Sequence, residues 1–197
     1  RQISRFEQMA ARIREKLPLK YCHLANSAAS LDYEIPSNNM CRPGLVLYGF
    51  SPIPSPWAAQ LKPAMALFSR LTVVRTLPEG HGISYVATVG IGYADGYLRS
   101  LAHKGARVMV DGVSCPLLGR VTMDQIMVDV SRAPHAEPGI TAEIMGPHIP
   151  VTELAEKAGT ISWEIFTGIG PREKGQAGRP FLGASFPIDG QTEISFS

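Results

Sequence analysis

The stretch Arg107-Val-Met-Val-Asp-Gly-Val113 carries the clearest structural signal in this chain of 197 residues. Asp111-Gly112 is a dipeptide that favours a two-residue hairpin turn, because both residues tolerate positive φ angles. Apolar residues stand on both sides of this turn and are rich in valine, which is typical of strands. The stretch therefore predicts two antiparallel strands joined by a tight turn.

Further short strands are predicted on both sides of this hairpin. Apolar residues recur with a period of two between Met65 and Leu77, and Val86–Ile91 is a buried-strand pattern. Later strands are predicted at Leu117–Val121, Gln125–Val130 and Thr141–Met145, followed by helices from Thr152 to Ala158 and from Ser162. Short strands separated by turns at this spacing indicate a compact β-barrel or sandwich.

The first part of the chain has a different pattern. Residues 4–17 form an apolar stripe at helical spacing, with Ser4 and Glu7 as a capping box at its start. Short strands are expected at 21–25 and 45–49, and this order is typical of a parallel α/β sheet or barrel. Three prolines between Ser51 and Pro56 indicate a stiff linker or a domain boundary.

Composition narrows the classes of partner. The net charge is +2 with scattered basic residues, and no apolar run is long enough to span a membrane, so neither nucleic acid nor a membrane is an expected partner. Three cysteines without CxxC spacing and five histidines without ligand spacing predict reduced thiols, a cytoplasmic protein and no metal site.

Two places carry candidate chemistry. Tyr85, Tyr93 and Tyr97 surround the end of the Val86–Ile91 strand, where a phenol can move a proton or simply pack. Asn26 and Ser27 stand at a strand–helix junction, which suits either a phosphate or an ordinary helix N-cap. The residue pattern alone leaves both alternatives open at each place.

Four segments in the same order resemble the C-terminal half of the alanine racemase family. These segments are His23-Leu-Ala-Asn-Ser-Ala-Ala29, Arg42-Pro-Gly-Leu-Val-Leu-Tyr-Gly-Phe-Ser-Pro52, Gly92-Tyr-Ala-Asp-Gly-Tyr97 and Gly119-Arg-Val-Thr-Met-Asp-Gln125. The resemblance implies a bacterial, cytoplasmic isomerase that interconverts L- and D-alanine with pyridoxal 5'-phosphate and supplies D-alanine for peptidoglycan. It also implies a homodimer whose active site is shared between subunits.

The resemblance implies a fold and three parts of the chain. Residues 1–55 would be the last strands of a TIM-type α/β barrel that binds the cofactor. Residues 56–172 would form a mostly antiparallel β domain, and the tail 173–197 is left unassigned.

The resemblance also assigns cofactor-binding residues. Arg42 matches the arginine that hydrogen-bonds the pyridine nitrogen, and a guanidinium there keeps this nitrogen neutral because it gives up no proton. Asn26, Ser27, Gly44 and Leu45 match the segments around the phosphate, where backbone N–H groups and a hydroxyl would meet the dianion.

The remaining site residues match positions that the family places near the substrate. Tyr85 matches the catalytic tyrosine, and Tyr93 matches the tyrosine at the narrow entrance. Met123 and Asp124 match the pair that the partner subunit places near the substrate carboxylate. Asp95 is interpreted as a turn carboxylate that caps nearby N–H groups.

Two departures from the family pattern affect the expected activity. None of the six lysines has the context of the Schiff-base lysine, so these 197 residues alone should be inactive. The family pattern also has a loop after the catalytic tyrosine, whereas Tyr85 here runs directly into Val86. Either the loop is deleted or it has been left out of the sequence, and we favour omission.

Two alternatives to an alanine racemase stay open at this point. One is a non-catalytic β module for dimerisation or binding. The other is a racemase that acts on serine or on a broad range of amino acids.

Overall fold

The structure is a computed structural model that describes residues 1–80, 82–170, 183–185, 187–188 and 192–193. The chain divides into two compact units, Arg1–Ala64 and Met65–Ser197. The three predicted parts, 1–55, 56–172 and 173–197, stay predictions. Most of the tail lies outside the described residues.

The first unit contains two α-helices and two short 3-10 helices. They are α1 (Gln2–Arg14), α2 (Ser27–Asp32) and the 3-10 turns Leu45–Tyr48 and Ala58–Gln60. The predicted capping box is wrong, because α1 begins before Ser4 and the Glu7 carboxylate instead accepts the Ser37 N–H at 3.0 Å. Hydrogen bonds from Ser37 lower the pKa of Glu7.

The two strands predicted in the first unit are also absent from its described residues. Side-chain amides bind the extended segment before α2: Asn39 accepts the Cys22 N–H at 2.7 Å and Asn38 accepts the Leu24 N–H at 2.7 Å. The only ladder contact in the described part of this unit is one parallel bridge between Asn26 and Arg42. The amide side chains occupy the N–H groups of Cys22 and Leu24, so the main-chain bonds of this segment to Asn39 and Arg42 do not extend into a ladder.

The second predicted strand of this unit is a 3-10 helix instead. Leu45–Tyr48 turns tightly, with the Leu47 N–H bonded to the Gly44 carbonyl at 2.9 Å. Gly49 ends this turn at a φ of 82°. Its absent side chain is required there, since a Cβ would lie 1.9 Å from the Lys62 carbonyl oxygen.

The second unit is built on a closed, six-stranded antiparallel barrel in the order β1-β2-β5-β4-β3-β6, with β6 returning to β1. Among the described residues beyond 170, three further short strands follow, of which β7 pairs with β1 and β8 pairs with β9. The strands are β1 (Ala66–Thr76), β2 (Tyr85–Val89), β3 (Arg107–Val110), β4 (Val113–Leu118), β5 (Ile126–Asp129), β6 (Thr141–Met145), β7 (Gly183–Ser185), β8 (Pro187–Ile188) and β9 (Thr192–Glu193). The mostly antiparallel β domain is therefore confirmed.

The predicted hairpin forms strands β3 and β4. Asp111 and Gly112 have φ angles of 49° and 73°, as a mirror-image two-residue turn requires. Val108 and Val110 are fully buried, and Val108 pairs with the buried Cys115 across the hairpin. Alternation along the strand thus directs valines into the barrel interior.

Strand β1 joins both halves of the barrel because it pairs with β6 at one end and with β2 at the other. Ser69 lies on its buried face, where the hydroxyl donates to the Gly90 carbonyl at 3.0 Å. This hydrogen bond satisfies a buried polar group at the place where the apolar alternation of β1 is interrupted.

Helices α3 (Val151–Ala158) and α4 (Ser162–Gly168) follow the barrel strands, as predicted. Gly159 ends α3 in the left-handed region at a φ of 74°. Glu153 of this helix pairs with Arg107 and with Lys157, both at 2.8 Å. In the part of the chain that the structure describes, no helix combines the length and apolar character that crossing a membrane requires.

Candidate active site

The start of helix α2 brings together the candidate phosphate residues. The Asn26 side chain accepts the Ala29 N–H at 3.1 Å, so Asn26 is an N-cap. The Ser27 hydroxyl is buried and accepts the Gly44 N–H at 2.8 Å. A serine hydroxyl that accepts one bond still has its own proton to donate.

Arg42 and Leu45 belong to the same cluster in the first unit. The Arg42 N–H donates to the Ala25 carbonyl at 2.8 Å, and its guanidinium donates to the Leu24 carbonyl at 3.3 Å. A guanidinium has five N–H donors, so one bond leaves further donors for a ligand. Leu45 is buried and begins the 3-10 turn. The cluster therefore combines a guanidinium, a hydroxyl and backbone N–H groups. These hydrogen-bond donors fit an aromatic phosphate ester.

A second cluster joins two loops of the β unit. The Tyr93 N–H donates to the Thr122 carbonyl at 3.0 Å, and the Ala94 N–H donates to the Met123 carbonyl at 3.0 Å. Gly92 permits this approach, because a Cβ there would lie 2.2 Å from the Met123 carbonyl oxygen. Two of the family motifs, distant in sequence, are thus hydrogen-bonded to each other.

Buried anchors hold exposed side chains in this second cluster. Asp95 is only 6% exposed and accepts the Gly92 N–H at 2.9 Å, which confirms its interpretation as a turn carboxylate. Tyr93 is 43% exposed and Met123 is 49% exposed. The candidate substrate side chains therefore face outward from a fixed backbone.

Thr122 closes the turn that carries Met123 and Asp124, a role that the sequence interpretation missed. Its hydroxyl donates to the Gln125 carbonyl at 2.8 Å and accepts the Gln125 N–H at 3.2 Å. A Thr three residues before its partner is a recognised turn pattern and could have identified it.

Tyr85 lies at the other end of the same strand ladder. It is the first residue of β2, and Val89 at the last position pairs with Ile126, close in sequence to the Met123 loop. At about 3.3 Å per residue, the four steps along β2 separate the backbone of Tyr85 from Val89 by roughly 13 Å. Tyr85 therefore begins β2 at the end opposite to the Met123 loop.

Ser131 fixes the main chain of Tyr85, and sequence reasoning missed this residue as well. Its hydroxyl accepts the N–H groups of Ser84 at 2.9 Å and of Tyr85 at 3.1 Å. Asp129 in turn accepts the Ser131 N–H at 2.9 Å. The Tyr85 side chain itself is 46% exposed, so hydrogen bonds of the backbone hold its position.

The bond between Tyr85 and Val86 lies within strand β2. Both residues belong to the continuous strand β2, where they pair with Thr76 and Arg75 of β1. The loop that the family pattern has after the catalytic tyrosine is absent from this sequence, and its omission stays a prediction.

Tyr97 differs from the other two tyrosines of this region. It is 3% exposed and its hydroxyl has no hydrogen-bond partner. Burial raises its pKa above the ordinary value for a phenol. Tyr97 is therefore a packing residue of the β unit.

Within the described residues, no three His, Cys, Asp or Glu side chains form a group that could hold a metal ion.

Solved structures define the class of protein to which this arrangement belongs. The alanine racemase of Bacillus anthracis with bound L-Ala-P matches with a TM-score of 0.70 and 35% identity, over 83% of this chain and 46% of that chain. The alanine racemase of Streptomyces lavendulae matches with a TM-score of 0.76 and 36% identity, over 87% of this chain and 49% of that chain. The fold is thus that of the alanine racemases.

Sequence comparisons give the family itself. The family model described as alanine racemase, C-terminal domain, matches residues 64–176, and the one described as alanine racemase, N-terminal domain, matches residues 1–52. The alanine racemases of Stutzerimonas stutzeri and Desulfovibrio desulfuricans are 38% and 41% identical over 85% and 76% of this chain. The chain belongs to the alanine racemase family.

The matched region is only part of each relative. It covers 49% of the Stutzerimonas stutzeri protein and 44% of the Desulfovibrio desulfuricans protein. The chain thus spans about half the length of the curated relatives it matches.

Proposed function

We propose that this chain forms the C-terminal portion of an alanine racemase, which interconverts L- and D-alanine with pyridoxal 5'-phosphate. The observation that carries the proposal is the pair of residue clusters, in a chain that belongs to this family. Ser27 is bonded to Gly44 in one cluster, and Tyr93 is bonded to Thr122 in the other. The domain limits given above and the TIM-type barrel origin of residues 1–55 are part of this proposal.

The first cluster would hold the cofactor. Ser27 would donate its hydroxyl proton to the phosphate, supported by the main chain at Asn26, Gly44 and Leu45. Arg42 would donate to the ring nitrogen and, since it keeps its own protons, would leave that nitrogen neutral. When bound, pyridoxal phosphate supplies the electron sink that makes the Cα proton of an amino acid removable. A neutral ring limits that sink, which favours return of the proton over transamination.

Tyr85 would hold and move a proton at Cα of the substrate. Racemisation requires one acid/base group on each face of the reacting carbon, and in this family a lysine serves the opposite face. No lysine of this chain has the matching context, so we expect these 197 residues alone to be inactive. An ordinary phenol titrates near pH 10, so catalysis at neutral pH requires a site that favours the phenolate.

The second cluster would meet the substrate. Tyr93 would narrow the entrance, while Met123 and Asp124 would lie near the carboxylate of alanine. Among the relatives, the Bacillus anthracis structure contains L-Ala-P and the Clostridium difficile structure is a complex with cycloserine, both of which are compatible with an alanine-sized ligand. The family arrangement adds a homodimer with a shared site, a cytoplasmic location and a role in supplying D-alanine to the cell wall.

A second candidate is a non-catalytic β module for dimerisation or binding. The placement of Tyr85 at the end of β2 opposite to the Met123 loop favours it, since a proton-transferring group must reach the same ligand as the residues near the substrate. The absence of the family's loop after Tyr85 and the lack of a matching lysine in these 197 residues are compatible with this candidate as well.

Racemisation assays distinguish these candidates. We expect the natural protein in which these residues occur, loaded with pyridoxal phosphate, to convert L-alanine to D-alanine, and the 197 residues alone to give none. A panel with L-serine and bulky amino acids tests specificity. Equal rates across the panel would contradict the alanine assignment and favour a serine or broad-specificity racemase, while no turnover of any amino acid would favour the non-catalytic module.

A further inference from the structure

The outward-facing residues of the second cluster have little packing to hold them. Tyr93 and Met123 expose nearly half of their side chains, so their positions depend on the backbone beneath them. That backbone consists of two loops, Gly92–Asp95 and Thr122–Gln125, joined by two hydrogen bonds of 3.0 Å. Whatever fixes one loop therefore also fixes the other.

The carboxylate of Asp95 is the buried polar group within this pair of loops. It accepts the Gly92 N–H, and the Gly92 carbonyl accepts the N–H groups of Asp95 and Tyr97, both at 3.1 Å. An ionised acceptor forms a stronger bond to a backbone N–H than a neutral one does. Gly92 therefore holds the turn around Tyr93 with hydrogen bonds from both its N–H and its carbonyl group.

We propose that Asp95 is a positioning residue that sets the relative position of Tyr93 and Met123. Its bond to Gly92 fixes the first loop, and the two inter-loop hydrogen bonds transmit this constraint to the second. The inference rests on the proposed function, because only that function brings substrate to Tyr93 and Met123. Asp95 itself does not contact substrate.

Amide hydrogen exchange tests the positioning without any cofactor. In Asp95→Ala we expect the Tyr93 and Ala94 amides to exchange about tenfold faster, since the buried acceptor of the turn is lost. Asp95→Asn keeps an acceptor oxygen and should stay within about threefold of the parent chain. Val108→Ala is the control for a general loss of stability, because it removes buried side-chain atoms from a strand outside the two loops.

Two exchange results would overturn the proposal. One is a Tyr93 amide that exchanges no faster than the β3–β4 amides in Asp95→Ala, which would make the effect global. The other is Asp95→Asn exchanging as fast as Asp95→Ala, which would show that the acceptor oxygen is irrelevant. If Asp95→Ala does not fold, Thr122→Val at an exposed position loosens the second loop, and an unchanged Ala94 amide would then disprove the coupling of the loops.

Kinetics test the link to substrate. In the natural protein with pyridoxal phosphate, Asp95→Ala should raise the KM for alanine about tenfold and leave kcat within about threefold, because binding residues are displaced. An unchanged KM despite faster exchange at Tyr93 would overturn the role in substrate positioning. If the parent protein racemises nothing, the proposed function fails and the exchange result alone decides whether Asp95 fixes the loops.

Discussion

Replacing Tyr97 with phenylalanine should stabilise the β unit. The Tyr97 hydroxyl is buried without a hydrogen-bond partner, so folding removes it from water and gives nothing in return. A buried polar group without a partner costs about 1–3 kcal/mol, and Tyr97→Phe removes that cost while it keeps the buried ring. We therefore expect a gain of about 1 kcal/mol in the free energy of unfolding, near the lower end of this range.

The same substitution should change how stability depends on pH. Burial raises the pKa of Tyr97 in the folded state above that of the unfolded chain. A raised pKa gives a contribution that is fully present below the unfolded value of about 10 and is lost as pH rises beyond it. Tyr97→Phe should therefore weaken the decline of stability above pH 10.

Urea unfolding at pH 7 and at pH 10.5 measures both effects. The matched control is Tyr93→Phe, which removes an exposed hydroxyl and should change stability by less than about 0.5 kcal/mol. A loss of 1 kcal/mol or more in Tyr97→Phe would refute the reasoning, because it would mean that the hydroxyl makes a favourable bond. Equal alkaline declines in Tyr97→Phe and the parent chain would refute the pKa argument.

Two further substitutions test the forces that hold the barrel. Arg107 and Lys157 lower the pKa of Glu153 to about 2, so the stability that this carboxylate provides is present above pH 4.5 and lost as pH falls towards 2. Glu153→Gln should therefore reduce the fall of the melting temperature between pH 4.5 and pH 2. A melting temperature that falls as steeply in the variant as in the parent chain would contradict the assignment. Gly112→Ala places a side chain at a φ of 73° and should lower the free energy of unfolding in urea by about 1 kcal/mol. The control is Gly168→Ala in helix α4, which has open space around it and should not lower the free energy of unfolding. Equal effects of the two substitutions would exclude turn strain as the cause.

The β unit could be predicted from sequence largely because its signals are local. Asp111-Gly112 requires only its own φ angles, and the helix α3 ends at Gly159 for a similarly local reason. The closure of β1 onto both β2 and β6 could not be read from the chain, because strand order depends on contacts between residues far apart in sequence.

The misses arose where another group replaced the expected partner. Glu7 has the spacing of a capping box, yet Ser37 offers its N–H to the same carboxylate. The segment before α2 reads as a strand, yet Asn38 and Asn39 satisfy its N–H groups through their side chains. The choice between alternative hydrogen-bond partners depends on tertiary contacts, and the local sequence pattern does not show it.

The candidate site was likewise predicted from the sequence only in part. The family motifs identified the candidate ligand-binding residues of both clusters. The structure adds the hydrogen bonds that hold them and the supporting residues Thr122 and Ser131, which the sequence interpretation missed. Tyr85 is the residue for which the motif and the structure give different information, because it keeps its Ser-Tyr context while it begins strand β2 directly.

Deuterium exchange at Cα of alanine is the most direct test of the proposed role of Tyr85. L- and D-alanine are mirror images with an equilibrium constant of one, so net racemisation must slow equally in both directions and cannot identify the base. NMR can follow the exchange of the Cα proton for deuterium from the solvent in the enantiomer that has not yet been converted. This measurement gives the rate of proton removal from each face of Cα separately. The protein required is the natural one loaded with pyridoxal phosphate.

We expect Tyr85→Phe to slow Cα exchange of one enantiomer by a factor of about 100 or more and to leave the other within a few-fold, because one acid/base group is lost from one face. Tyr93→Phe is the control and should not create such an asymmetry. Equal, small losses for both enantiomers would contradict the account and assign Tyr85 a packing role at the start of β2.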